Sequence, residues 1–513
     1  MKANAVLVAA GILFSRLAGL IRQRVFAHYF GIQSDAADAF SAAFRIPNFL
    51  QNLFGEGALS ASFIPVYASL TARNDQRDAT EVAGAVAAIL AMVTSVLVLV
   101  GVAATPLLID VIAPGFGGSK RDLTITLVRI LFPGAGLLVM SAWCLGILNS
   151  HHRFLLSYSA PVVWNAAMIG TLLIFGDHVS LASLAIYLAW GSVAGSALQF
   201  LVQLPAVVRL TPALRLNVTS RSPHVRTVLR NFVPVFISRG VVQISAYVDA
   251  LLASLLPTGA VAGLASAQLI YTLPVSLFGM SVSAAELPGM SGAAGVDDGR
   301  LKDRLNAGLR QIAFFVVPSA VAFLAFGDIV AGALLQTGRF TRADSVYVWA
   351  ILAGSSVGLL ASTLGRLYSS TFYALRDTST PLRYAVVRVA LTTVLGYLCA
   401  VRLPPLIGID MKWGTAGLTA SAGVAGWIEL LLLRGTINAR LGGTGIPRSV
   451  LLRLWMSALI AAMAGWGVRV LAAIDNPILA AIAILGPYGL VYLGVTTAMG
   501  LPEAKSALRR VRR

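Results

Sequence analysis

The sequence predicts an all-α polytopic membrane protein of about fourteen transmembrane helices, built as two pseudo-twofold-related six-helix lobes plus two C-terminal helices. Three observations predict it. Of 513 residues, 57% are hydrophobic and only 12% are charged, about half the charged fraction of an ordinary soluble domain, so a chain this long needs lipid as its solvent. Apolar runs such as Val82–Pro106 and Ile478–Met499 each supply the roughly 20 residues that cross a hydrocarbon core. Finally, segments of the first half recur in the second at a nearly constant offset.

Hydrophobic stretches set against Gly/Pro and charged breaks place the spans near 5–28, 36–70, 82–106, 123–148, 156–176, 181–206, 230–256, 260–290, 308–335, 345–374, 384–402, 414–434, 450–473 and 478–500. The first runs straight into Arg22 and Arg24 and lacks a small-residue cleavage site, so no cleavable signal peptide is expected. An even number of spans puts both termini on one side. Most of the 39 Lys and Arg residues fall on that side, among them Arg73 and Arg77, those of the 209–230 stretch, those from Arg300 to Arg310, and the tail from Lys505 to Arg513. The positive-inside rule then makes both termini cytoplasmic. The net charge of +18 is thereby read as topology and contact with anionic membrane lipids rather than nucleic-acid binding.

The repeat justifies the lobes. Ser15-Arg16 returns as Ser238-Arg239, and Ser60-Ala61-Ser62-Phe63-Ile64-Pro65 as Ser283-Ala284-Ala285-Glu286-Leu287-Pro288, each 223 positions on. Phe44 to Leu50 returns as Tyr271 to Leu277, 227 positions on. An offset across an even number of helices implies same-topology bundles with the substrate site between them. The expected organisation is an N-lobe at 1–206, a basic cytoplasmic linker at 207–229, a C-lobe at 230–438, an appended pair of helices at 450–500 and a basic tail at 501–513.

An ionisable residue inside a span costs roughly 2.5–3.5 kcal/mol on insertion scales, so it faces a cavity or a partner. Here such residues cluster: Arg16, Arg22 and Arg24 in the first span, Asp38, Arg45 and Glu56 in the second, Arg239 and Asp249 in the seventh, Glu286 in the eighth and Arg366 in the tenth. The first three are expected to line one face over roughly 12 Å of helix. Asp38 is the acid at hand for Arg22 or Arg24, but there are too few acids for every arginine. Surplus guanidinium in a dry cavity suits phosphate oxygens, which its planar fork binds bidentately. Asp249 and Glu286 leave two readings open, a Na⁺ or H⁺ site and pairing with Arg239 or Arg366. Glu429 is expected to reach Arg434. The five histidines lack metal-ligand spacing, Cys144 and Cys399 read as small buried hydrophobes, and no phosphate-binding glycine loop points to ATP hydrolysis. The expectation is a transporter without catalytic residues, metal or cofactor, driven by an ion gradient or the membrane potential.

Ser15-Arg16-Leu17-Ala18-Gly19-Leu20-Ile21-Arg22, Ala37-Asp38 through Phe44-Arg45-Ile46-Pro47-Asn48, and Phe54-Gly55-Glu56-Gly57-Ala58-Leu59-Ser60 together resemble the MurJ (MviN) lipid II flippases of the multidrug/oligosaccharidyl-lipid/polysaccharide exporter superfamily. Ala113-Pro114-Gly115-Phe116, Ile147-Leu148-Asn149-Ser150, Gln203-Leu204-Pro205, Gly338-Arg339-Phe340-Thr341 and Asp377-Thr378-Ser379-Thr380-Pro381 extend the resemblance over most of residues 1–500. It implies two six-helix lobes with two extra helices, and export of the undecaprenyl-diphosphate-linked peptidoglycan precursor across the bacterial inner membrane, with cell-wall synthesis proteins as further partners. It also implies that Arg16 and Arg22 hold the diphosphate, that Asp38 and Glu56 are sensitive acids, that Arg366 is a further basic position, and that Asp249, with Thr392, matches a cation site. The chain departs from the family pattern at Gln51 and near Leu269, where arginines are common, and Arg239 and Arg24 are extra cations that would compensate. Rival classes are a flippase for another polyprenyl-diphosphate glycan, such as an O-antigen or exopolysaccharide unit, and a cation-coupled drug exporter.

Overall fold

The computed structural model describes the backbone of residues 2–54, 58–212, 214–218, 222–472 and 474–505, with the side chains of residues 2–10, 12, 47, 234–235 and 237–246 left undescribed. Glu56 and the side chain of Arg239 therefore lie outside the described residues. Among those described there is no β-strand.

The chain opens with α1 (Lys2–Phe30). The second expected span is divided among three short helices, α2 (Asp35–Ala43), α3 (Arg45–Phe54) and α4 (Ser60–Ala72). The first break has a covalent cause: a proline at 47 offers no N–H to the carbonyl of Ala43, so α2 stops there. At its start, the Ser34 side chain accepts a hydrogen bond from the Ala37 N–H at 3.1 Å. There follow α5 (Gln76–Ala103), α6 (Thr105–Ile112), α7 (Gly118–Ser150), α8 (Phe154–Phe175), α9 (Leu181–Leu210) and α10 (Pro223–Ser254). Then α11 (Ala260–Pro274) passes through a π-helical turn, Val275–Met280, into α12 (Ser281–Ala293). The rest comprises α13 (Asp298–Leu335), α14 (Arg342–Ala374), α15 (Ser379–Tyr397), the short α16 (Leu403–Leu406), α17 (Gly414–Leu441), α18 (Arg448–Leu471) and α19 (Pro477–Ala498).

Eleven of the expected spans correspond to helical stretches long and apolar enough to cross a membrane. The other three fall on α1, on the divided α2–α4 segment, and on α10. The protein is thus an all-α polytopic membrane protein, with eleven such stretches among its described residues.

The helices form two compact units, Met1–Ala262 with Thr337–Arg339, and Gly263–Gln336 with Phe340–Arg513. The first unit extends to Ala262 because α10 packs on α3, α4, α5 and α6. In the first unit the core gathers Phe63, Tyr67, Val82, Trp143 and Ile147, and the buried Trp143 indole donates to the Ala83 carbonyl at 3.2 Å. In the second unit α14 and α17 cross where Gly358 meets Gly423: a Cβ on Gly358 would stand 2.4 Å from the Gly423 Cα, the close approach that small residues allow between membrane helices. The appended helices α18 and α19 pack on α13. Pro318 of α13 has no N–H for the Phe314 carbonyl, and the Tyr492 hydroxyl of α19 donates to that carbonyl instead, at 2.6 Å.

Candidate functional site

Arg22 is the central cation of the first unit. It points from α1 to an aromatic pair, its guanidinium carbon 5.0 Å from the Phe44 ring centroid and 5.6 Å from that of Trp164. The two rings stack at 5.5 Å and 9°. The Trp164 indole is held by donating to the Ser192 carbonyl at 3.1 Å. A desolvated cation over aromatic faces gains about 2 kcal/mol from the ring quadrupole. This offsets part of the cost of burial but leaves the guanidinium's hydrogen-bonding edges to be satisfied. No carboxylate pairs with Arg22 among the described residues. One guanidinium N–H also points at the Met168 sulfur at 4.0 Å, a weak acceptor.

The three arginines of α1 do not share one face. Six residues of α-helix turn Arg22 about 120° from Arg16, so Arg22 faces the Phe44–Trp164 pair while Arg16 is exposed and Arg24 half-buried.

Asp38 pairs with neither Arg22 nor Arg24. It is 1% exposed and accepts from Lys120 Nζ at 2.6 Å. It also accepts from the backbone N–H groups of Gly259 and Ala262, at 2.9 and 2.8 Å. Those amides belong to the turn before α11 and to its first residues, so the carboxylate meets the positive end of a helix as well as an ammonium. Asp35 joins from one turn earlier, taking the Thr258 hydroxyl at 2.8 Å and Lys120 at 3.4 Å. A second clasp lies at the end of α1, where His28 Nδ1 is 2.8 Å from the Thr337 hydroxyl and the Arg339 N–H donates to the His28 carbonyl at 2.8 Å. Gly338 makes that approach with φ +52°, and a Cβ there would lie 2.4 Å from the His28 carbonyl oxygen.

Arg45 opens α3 and interacts electrostatically with Asp249 and Tyr247 of α10, while the Tyr247 hydroxyl donates to the Arg45 carbonyl at 3.0 Å. Asp249 therefore has Arg45 as a neighbour, which the expected choice between Arg239 and Arg366 omitted. In the second unit Glu286 pairs with Arg304 at 3.2 Å and not with Arg366, while the Arg239 side chain lies outside the described residues. Glu429 pairs with Arg388 at 3.3 Å, while Arg434 donates to the Thr444 carbonyl instead. The cause is axial: α15 and α17 pack side by side, which brings Arg388 across to Glu429. Arg366 sits in the field of Tyr271, Arg388, Glu429 and Tyr373. Thr392 is buried on α15.

Sequence reasoning missed Lys120, Trp164, Tyr247 and Arg388. Lys120 lies just beyond the Ala113-Pro114-Gly115-Phe116 motif, and its ammonium stands 4.4 Å over the Phe116 ring; the motif was the available signal. Gly115 itself is needed for packing, since a Cβ there would lie 2.0 Å from the Ser254 carbonyl oxygen of α10. The Asp377-Thr378-Ser379-Thr380-Pro381 motif is a helix-start lock for α15. Asp377 accepts from the Thr380 N–H and hydroxyl at 3.0 and 2.8 Å and from Arg440 at 2.7 Å. The Thr380 backbone bond, with those from the Thr380, Arg440 and Ser379 side chains, holds its carboxyl well below the usual carboxylate range.

The family model described as lipid II flippase MurJ matches residues 26–484. The chain is 34% identical over 440 residues to the lipid II flippase MurJ of Burkholderia cenocepacia, across 84% of this chain and 82% of that protein. It is 31% identical over 504 residues to the probable lipid II flippase MurJ of Bdellovibrio bacteriovorus, across 94% and 93%. A solved lipid II flippase MurJ in an inward closed conformation superposes with TM-score 0.79 at 24% identity, across 96% of this chain and 98% of that one. An inward-facing multidrug resistance MATE transporter of the MOP superfamily gives 0.68 at 17% identity, across 85% and 98%; at these identities the structures speak for the fold. The sequence match begins within α1 just after Arg22, takes in Asp38 and its partners, and runs into α19, so the chain belongs to the lipid II flippase MurJ family.

Proposed function

We propose that this protein moves lipid II, the undecaprenyl-diphosphate-linked peptidoglycan precursor, from the cytoplasmic to the periplasmic leaflet of the bacterial inner membrane by alternating access. The family match supports the substrate. The observation that carries the chemistry is Arg22, a cation in the first span that stacks on Phe44 and Trp164 and has no carboxylate partner among the described residues. A diphosphate supplies the charge and the paired oxygens that such a fork recognises. Arg16, Arg24, Arg45, Arg239 and Arg366, with Glu56, complete the proposed substrate-contacting set. Asp38 is reassigned: its carboxylate is committed to Lys120 and the start of α11, so its role is to clasp and release that turn. With both termini cytoplasmic, as the distribution of Lys and Arg indicates, this clasp lies at the periplasmic end.

No step requires a catalytic residue, and the work of transport falls to the membrane potential or to a Na⁺ or H⁺ gradient. A potential supplies about 2.3 kcal/mol per charge per 100 mV, enough to bias a two-state carrier by several tens of times. Asp249, beside Arg45, and Thr392 are the ion-site proposals that follow.

The test uses purified protein in vesicles carrying fluorescent lipid II, with an impermeant quencher reporting the outer leaflet. Wild type is expected to equilibrate the label across the bilayer, Arg22→Ala to slow this at least about tenfold, and Arg22→Lys to recover part of the rate, because it keeps the charge and loses the fork. Equal rates in wild type and Arg22→Ala would remove Arg22 from the site. Faster movement of a different polyprenyl-diphosphate glycan would reassign the substrate.

A further inference from the structure

The first unit also contains a concavity lined by none of the clasp residues. Its volume is 490 Å³, and it lies between the α7–α8 turn and the end of α9. His152, Arg153, Leu155 and Leu156 line it from the α7–α8 turn and the start of α8, and Arg209 and Leu210 from the end of α9. Neither Arg153 nor Arg209 has an ion-pair partner among the described residues, and no acidic side chain lines the space.

The turn that presents these charges is tightly built. His152 adopts φ +59°, and the Arg153 N–H donates to the Leu148 carbonyl at 2.8 Å. Ser157 donates to the Asn149 side chain at 2.7 Å, and the Tyr67 hydroxyl is 3.0 Å from His151 Nε2. Leu155 is 49% exposed and extends the apolar wall towards the bilayer. The concavity thus brings two exposed arginines together with leucine side chains, and no acidic side chain lines it.

We propose that this concavity is a binding site for an anionic phospholipid, its phosphodiester held between Arg153 and Arg209 and an acyl chain laid along Leu155 and Leu210. Guanidinium forks match phosphate oxygens, and basic pockets between membrane helices on the Lys- and Arg-rich side receive anionic head groups. The apolar wall argues for a lipid over a free ion, since inorganic phosphate gains nothing from leucine. The site is separate from the transport arginines and would stand if the transported lipid were another.

The experiment titrates the purified full-length protein in detergent with phosphatidylglycerol, reading retained lipid by native mass spectrometry. Phosphatidylcholine of the same chains and inorganic phosphate serve as separate arms. Wild type is expected to retain phosphatidylglycerol and not phosphatidylcholine. Arg153→Gln/Arg209→Gln should weaken retention by at least about tenfold, whereas Arg73→Gln/Arg77→Gln, two exposed arginines elsewhere, should change it less than about twofold. Leu155→Glu, which sets a carboxylate on the exposed wall, should weaken it without touching either arginine and so guards against misfolding of the double variant. Unchanged retention in the Gln pair or in Leu155→Glu would overturn the site. So would an equal loss in the Arg73/Arg77 control, or full displacement of the lipid by millimolar phosphate.

Discussion

Lys120 carries its ammonium to a position 11% exposed, against a carboxylate 1% exposed. Taking both from water is costly, and the pair is sustained by its short contact and by the two amides that share the carboxylate. Removing one member strands the other. Lys120→Met is therefore expected to destabilise the folded protein by about 3–5 kcal/mol, and Asp38→Asn/Lys120→Met by clearly less than the sum of its single variants. Melting in detergent checks this; additive losses would show that the two residues do not act as a pair. His151, in the α7–α8 turn, gives a pH signature. Burial, then the charges of His152 and Arg153, push its pKa below the ordinary value. Below about pH 6.5 the unfolded chain takes up a proton that the folded chain resists, so this residue contributes a loss of stability as the pH falls and none above. Between about pH 7.5 and 5.5, His151→Asn should melt with a smaller drop than wild type. Arg22 was legible in the sequence because a charge in an apolar run has few explanations. Lys120 was not, because it stands just outside a span and reads as an ordinary loop cation until the fold buries it.

At the scale of elements, prolines and glycines carried most of what could be foreseen, and also most of what was misjudged. The stretch 36–70 is mostly apolar and reads as one span, yet the proline at 47 stops α2 at Ala43 and the chain continues as α3 and α4. Hydropathy is blind to such a break, because a missing N–H leaves the apolar character of the stretch unchanged. On α13 the Phe314 carbonyl left by Pro318 is met by Tyr492, which no local pattern could reveal. Motif glycines mark helix contacts rather than chemistry. Gly115→Ala would force its Cβ to within 2.0 Å of the Ser254 carbonyl oxygen, so the end of α10 must shift. A destabilisation of about 1–3 kcal/mol is expected, visible as a lowered melting temperature. An unchanged melt would mean that α10 is not anchored at this point. Charge pairing across helices was the least legible feature: Glu429 with Arg388 and Glu286 with Arg304 depend on which helices adjoin.

For the whole molecule, composition and span length foretold an all-α membrane protein because lipid admits few other ways to satisfy the backbone. The fourteen expected spans all fall on helical segments, eleven of which meet length and hydropathy requirements outright. Where the compact units divide was not legible, since α10 joins the first unit through side-chain packing that an internal repeat does not encode. The family assignment and a half-buried arginine together imply that cells need this chain to bring lipid II across the membrane. The most direct measurement is to deplete the protein in a bacterium that depends on it. Each lipid-linked precursor is then quantified by extraction, and an impermeant enzyme that cleaves lipid II only at the outer surface reports its leaflet. The account predicts that lipid II rises, that its cleavable outer-leaflet fraction collapses, and that other polyprenyl-diphosphate glycans are unchanged. Lipid II that stays fully cleavable after depletion, while another lipid-linked glycan accumulates, would contradict it.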